Sequence, residues 1–200
     1  MKKSIGPKPV LFPTPVLIVC TYDAQGVPNA MNVAWGGVAC SEPPCVAISV
    51  RDHRKTYENI IEKKAFTVNI PPEKYMKEAD YFGIVSGKAE DKFKATGLTP
   101  AKSDLVDAPY IKEFPFVLEC VLKATHKLGI HTQFIGEIKD IKVEESALNA
   151  KGFPDPEKMK AFMFDPSTSA YYATGKFLGQ AFLIGKSARD GSVRSLGGEK

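Results

Sequence analysis

The sequence predicts a mainly β domain with inserted helices, arranged as an antiparallel barrel rather than a doubly wound sheet. Short β-branched runs at 14–21, 45–51 and 65–70 are set off by Pro- and Gly-rich turns. Two long runs, 116–130 and 132–144, flank Gly129 as a hairpin. Helical spacing is confined to inserted segments and does not alternate with the strands, so parallel βαβ units are disfavoured.

Taken in order, residues 14–21 (TPVLIVCT) enter as a strand after a proline, and Asp23, Gly26 and Pro28 turn the chain. A second strand is expected over 30–38 and a third over 45–51. Residues 53–64 carry Tyr57, Ile60 and Ile61 at helical spacing. The strand 65–70 stops at Pro71-Pro72. Residues 73–95 read as polar helix broken near Gly83 to Gly87, with Ser86 capping the helix beyond the break, and 96–115 are turn-rich. After the hairpin, 149–169 is expected to be loop and 180–185 a last short strand. One domain is therefore expected over 1–186, with 187–200 a Gly/Ser-rich, charged, disordered tail.

Composition narrows the function classes. The 200 residues are 44% hydrophobic and 25% charged, enough for one core. A net charge of +4 is too small for the dense basic stripe of a nucleic-acid binder. The basic start runs into Pro7, Pro9, Pro13 and Pro15 without an apolar stretch long enough for a signal core or a membrane span. The four cysteines form no Cys-x-x-Cys pair, as expected of a reduced cytoplasmic protein with buried free thiols.

The strongest chemical signal is the run Ser49-Val50-Arg51-Asp52-His53-Arg54-Lys55-Thr56. A strand ends and a helix begins here, with Asp52 the expected N-cap. Cations crowd a helix end that favours acidic side chains. A phosphate docked there would reverse the sign of those interactions, and Thr56 would add a hydroxyl. The same run also suits a solvated basic turn screened by salt. In the preceding strand Val46, Ile48 and Val50 point one way, while Cys45, Ala47 and Ser49 make a uniformly small face. That face admits either a flat ligand or a bulky core neighbour. Ser86-Gly87-Lys88, with Lys92 four residues beyond, is a second stretch that suits a phosphate or a solvated lysine face.

Several segments resemble the flavin reductase-like family, close to its flavoredoxin-type members. They are Asn29 to Gly37 (NAMNVAWGG), Ser41-Glu42-Pro43-Pro44, Ser49-Val50-Arg51, Lys55 to Ile60, Phe66 to Pro71, Ser86-Gly87, Asp91-Lys92-Phe93, Gly97-Leu98, His131 to Glu137 and Tyr171-Tyr172. Their order and spacing cover roughly 10–185. The resemblance implies a six-stranded antiparallel Greek-key split β-barrel that forms a homodimer with FMN at the interface. It implies that Asn32, Ala34 and Trp35 line the flavin ring, and that Ser49 and Val50 meet ring and ribityl. Arg51, Lys55 and Thr56 would hold the phosphate. Asn69 would touch flavin or ribityl, and Ser86, Gly87 and Lys92 would complete the phosphate end. Phe82-Gly83 stands where flavoredoxin-type members often have Cys-Gly, which removes a thiol expected beside the flavin.

The implied activity passes electrons from NAD(P)H, or from an electron-transfer protein, through FMN to an acceptor. The alternative is a carrier with no small substrate of its own. No side-chain catalyst is required, because the cofactor supplies the redox chemistry. A nucleic-acid-binding OB-type barrel needs aromatics beside a basic groove, and the cations here cluster at one helix end instead. Gly185-Lys186-Ser187 lacks the spacing of a P-loop, no G-x-G-x-x-G follows a strand, and His53, His126 and His131 have no metal-like spacing.

Overall fold

The computed structural model describes residues 1–186. It contains the strands β1 (Thr14–Pro15), β2 (Leu17–Tyr22), β3 (Pro28–Val33), β4 (Gly36–Ser41), β5 (Pro44–Arg51), β6 (Ala65–Ile70), β7 (Pro100–Lys102), β8 (Pro109–Ile111), β9 (Phe116–Leu128), β10 (His131–Val143), β11 (Phe162–Asp165) and β12 (Ala170–Ala173). The helices are α1 (Lys55–Lys63), α2 (Met76–Ile84), α3 (Lys92–Thr96) and α4 (Pro156–Met159). The predicted tail at 187–200 lies outside the described residues.

The main sheet has seven antiparallel strands in the order β3-β2-β6-β9-β10-β5-β4. Its two edges are consecutive in the chain, joined only by Ala34 and Trp35, so the sheet must roll until the edges approach. One core confirms the closure: Met31 and Val33 from one edge pack with Val46, Ile48 and Val50 near the other, around Phe66 and Phe134. The Ser49 N–H donates to the Trp35 carbonyl at 2.8 Å, extending the β4–β5 ladder up to the Ala34-Trp35 break.

Strand β2 is buried on both faces. Leu17 and Val19 point into the barrel, while Ile18 and Cys20 point outward beneath α2, α3 and β11, where Phe82, Phe93 and Phe162 cover them. That double burial explains why this strand is an unbroken apolar run rather than an alternating one.

The antiparallel barrel and the hairpin at Gly129 agree with the prediction, with four differences of detail. The main sheet has seven strands, not six, because the expected strand 30–38 is two strands: the chain breaks out of β3 at Ala34 and returns as β4. The expected loop 149–169 contains α4, capped by the Asp155 carboxylate, and β11. Residues 180–185 form turns, not a strand, and Phe182 takes φ 64° there. Ser86 caps no helix: it accepts the Lys88 N–H in a turn, and α3 is capped by Asp91.

Candidate functional site

Strand β5 ends at Arg51 and α1 begins at Lys55, and the turn between them builds the site. Asp52 is not the N-cap. Its carboxylate faces β9 and β10, paired with Lys127 and accepting from Thr132 Oγ1 at 3.1 Å. The N-cap is Arg54, which supplies no capping side-chain bond. In the first turn of α1 the Tyr57 N–H donates to the Arg54 carbonyl at 3.0 Å, and no side-chain oxygen caps the helix start.

Against this helix end lies a narrow recess, with free space of about 10 Å³ that admits one water-sized group at a time, lined by Asn29, Met31, Arg54, Lys55, Thr56, Val85, Ser86, Gly87 and Lys92. It holds three cations and no carboxylate. Thr56 is buried, and its hydroxyl accepts from Asn29 Nδ2 at 2.9 Å. Lys92 is 4% exposed, and Nζ donates to the Phe82 carbonyl at 2.9 Å. Burial, and then the charge of Arg54, lower its pKa to about 8. Lys55 is already satisfied by Asp23 at 2.9 Å, whereas Arg54 has no ion-pair partner among the described residues. Lys88 lies outside, paired with Glu58 at 2.5 Å. The neighbouring, wider cleft presents Asp23, Glu58 and Glu62, and suits an anion poorly.

Gly87 is fixed by close approach. A Cβ there would collide with Asn29 Oδ1 and stand 3.0 Å from Asn29 Cγ. Gly87→Ala should push Asn29 off Thr56 and weaken anion binding about tenfold, the worth of one good hydrogen bond. Fluorescence titration with FMN checks this, and unchanged affinity would show that the recess does not depend on Asn29.

A second recess of about 390 Å³ is lined by Met31, Asn32, Val33, Ala34, Trp35, Ser49, Arg51, Arg54, His131 and Phe164. Met31 and Arg54 border both recesses, so the two form the ends of one elongated site. Asn32 is held by donating Nδ2 to the Ala79 carbonyl at 3.0 Å. His131 faces Arg51 across β10 and β5, and its pKa is lowered by burial and then by Arg51.

The structure gathers Asn32, Ala34, Trp35, Ser49 and Arg51 at the wide end, and Lys55, Thr56, Ser86, Gly87 and Lys92 at the narrow end. Three expected residues change role. Arg51 lines the wide recess, and Arg54 takes its place at the narrow one. Val50 is turned fully into the barrel core. Asn69 is completely buried: it donates to the Ile18 carbonyl at 3.0 Å and to Thr67 at 2.8 Å, and accepts from the Ile111 N–H at 2.9 Å. It staples β2, β6 and β8 together and is out of reach of either recess.

Phe82 is likewise buried, packed at a tilt against Phe93, so the side chain at this position points into the core and not toward the site. No cysteine lines either recess. Cys20 and Cys120 are buried with thiol pKa values pushed up by desolvation, while Cys40, against expectation, is exposed. Asn29, Met31 and Phe164 complete the site. Of these, Asn29 and Met31 stood in the segment NAMNVAWGG that carried the resemblance, and Phe164 stood in none.

A rolled antiparallel sheet whose edges approach each other defines a split-barrel protein, here with a cationic helix-end recess beside a wider aromatic one. The chain belongs to the flavin reductase like domain family, whose model matches residues 10–177. Among solved structures, the flavoredoxin of Desulfovibrio vulgaris (Miyazaki F) is 48% identical, with a TM-score of 0.89 over 92% of this chain and 100% of its own. A Shewanella frigidimarina protein with a split barrel domain is 27% identical, with a TM-score of 0.77 over 84% of this chain and 86% of its own. A protein of Aeropyrum pernix is 30% identical over 133 residues, 66% of this chain, and the match spans only 50% of that relative's length. Among the described residues no helix is long and apolar enough to cross a membrane, and no group of His, Cys, Asp and Glu could hold a metal ion.

Proposed function

We propose that this chain binds FMN and acts as a flavin reductase-like oxidoreductase, passing electrons from NAD(P)H or a protein donor through the flavin to an acceptor. The observation that carries this reading is the joined pair of recesses: a carboxylate-free cationic pocket at the start of α1, continuous through Met31 and Arg54 with a wider pocket walled by Trp35 and Phe164. Helix N–H groups, Thr56, Arg54 and Lys92 match a phosphate ester. The apolar walls match a flat ring. One negative feature fits as well: neither recess presents a carboxylate to repel a phosphate.

When bound, the flavin supplies the hydride and electron chemistry. The protein's part is to bind, orient and set the field. Asn32 is locked against α2 and keeps the wall of the wide recess rigid. Arg51 places positive potential at that end, which favours added negative charge on a ligand there, while burial and Arg51 itself hold His131 toward its neutral form. No side chain is needed to carry a covalent intermediate.

The edge strand β4 supports assembly as a homodimer with the cofactor at the interface. Five of its six residues are exposed, and Val38 is 83% exposed, an unpaired edge that a second copy would cover. The free thiols support a cytoplasmic setting.

Anaerobic titration of FMN-loaded protein with NADH and NADPH tests the activity. Bleaching of the flavin spectrum is expected with at least one donor, and a spectrum that stays oxidised with both would rule out direct nicotinamide oxidation. The second reading, a carrier for protein partners alone, predicts one equivalent of electrons transferred and no turnover with excess free flavin.

A further inference from the structure

We propose that the narrow recess takes up its phosphate ester together with a proton held on Lys92, so that FMN retention is controlled by pH while binding of the phosphate-free flavin is not. This rests on the FMN reading above and adds to it how the site is regulated.

The geometry around Lys92 is unusual for a lysine. It is the first residue of α3, directly after the capping Asp91, and only 4% of it is exposed. An ammonium group has three donors. Here one is used, on the Phe82 carbonyl of α2 at 2.9 Å. No carboxylate compensates the charge. Asp91 spends its side chain on the Lys94 N–H. From the start of α1 the facing groups are Arg54 and Lys55, both cations, and Lys55 is already engaged by Asp23. From β2 the nearby titratable group is the Cys20 thiol, held protonated by its burial. Nζ also lies 5.9 Å from the centre of the Phe82 ring, and Lys92 lines a recess whose other charged walls, Arg54 and Lys55, repel it.

A buried, uncompensated ammonium beside a guanidinium gives up its proton easily, and its pKa falls to about 8. A phosphate monoester changes the balance. Its second ionisation lies near pH 6, so it arrives as a dianion above neutrality. Its negative charge next to Nζ restores the protonated form. Below about pH 8 the empty site already carries that proton and binding is at full strength. Above that pH each binding event must take up a proton, and affinity falls as pH rises.

The test is FMN and riboflavin affinity measured in parallel by fluorescence titration from about pH 7 to about pH 9, with proton uptake read by calorimetry in buffers of different ionisation heat. For the parent protein, FMN affinity should fall about tenfold across that span, with about one proton taken up at the alkaline end, and riboflavin affinity should stay level. Lys92→Arg keeps its charge at every pH, so it should bind FMN without the pH slope. Lys92→Met should bind FMN weakly and equally at both ends of the range. A parent FMN affinity that is flat, or that drifts in step with riboflavin, overturns the proposal. A protein that binds no FMN even at neutral pH overturns the cofactor reading instead, so the two failures are distinct.

Discussion

Arg54→Ala should weaken FMN binding about 30-fold, a loss near 2 kcal/mol, the size of a charge-assisted contact to a phosphate. Arg54 borders both recesses and has no ion-pair partner among the described residues, so its charge is fully available to a ligand. Lys55 lines the same cavity but is held at 2.9 Å by Asp23, and the carboxylate offsets much of its field. Lys55→Ala should therefore cost clearly less than Arg54→Ala. Riboflavin supplies the control, because a phosphate contact cannot matter to a ligand without phosphate. Equal losses for FMN and riboflavin would place Arg54 at the ring and leave the narrow recess without a function. Added salt should weaken FMN binding to the parent more than to Arg54→Ala, since one screened attraction is already gone.

The difference between Arg51 and Arg54 shows where sequence reasoning stops. The strand ending at Arg51, the helix starting near Lys55 and the misplaced cations between them were legible, because alternation and helix-end electrostatics are local. Which arginine faces the narrow recess was not, because it depends on how residues 52–54 turn. Asp52 looked like a cap only while its partners were unknown; Lys127 and Thr132 on the long hairpin claim it. Distant strands decide that competition.

Lys92 and Asn69 mislead in opposite directions, for one reason. A lysine shortly after Lys88 reads as part of a solvated face, yet α3 begins at Lys92 itself, so no helical face joins the two. Asn69, a polar residue in an apolar strand, reads as a ligand contact, yet β8 and β2 use up its amide. Polar groups in buried places need partners. The sequence marks the need but not whether protein or ligand meets it. Gly87 was more informative, since it falls where the chain must pass close to Asn29, whereas the break at Ala34-Trp35 left no local signal within the expected strand 30–38.

Phe66→Ala should be the most damaging core substitution near the site, costing about 3–5 kcal/mol and lowering Tm by roughly 6–20 °C. Phe66 is fully buried at the centre of the barrel core, packed with Ile48 and Val50 of β5. The opposite face and the end of that strand present Ser49 and Arg51 to the wide recess. The ring also fills the space left by Gly136 on β10: a Cβ at Gly136 would stand 2.9 Å from Phe66 Cε1 and 3.0 Å from Cys120 Cβ. Register shifts on β10 between Ile135 and Gly136, so the glycine coincides with a bulge where the barrel bends around the ring. Gly136→Ala alone should overpack the core by about 1–3 kcal/mol. In the Phe66→Ala background the same methyl enters vacated space, and its cost should shrink or change sign. The double variant should therefore be more stable than the two single losses sum to, by about 1 kcal/mol or more, as expected of side chains in direct contact. Strict additivity in chemical denaturation would mean that the glycine serves the bend of β10 alone and that ring and bulge are independent. A non-additive result ties the curvature of the barrel, and with it the placement of Ser49 and Arg51, to one aromatic side chain.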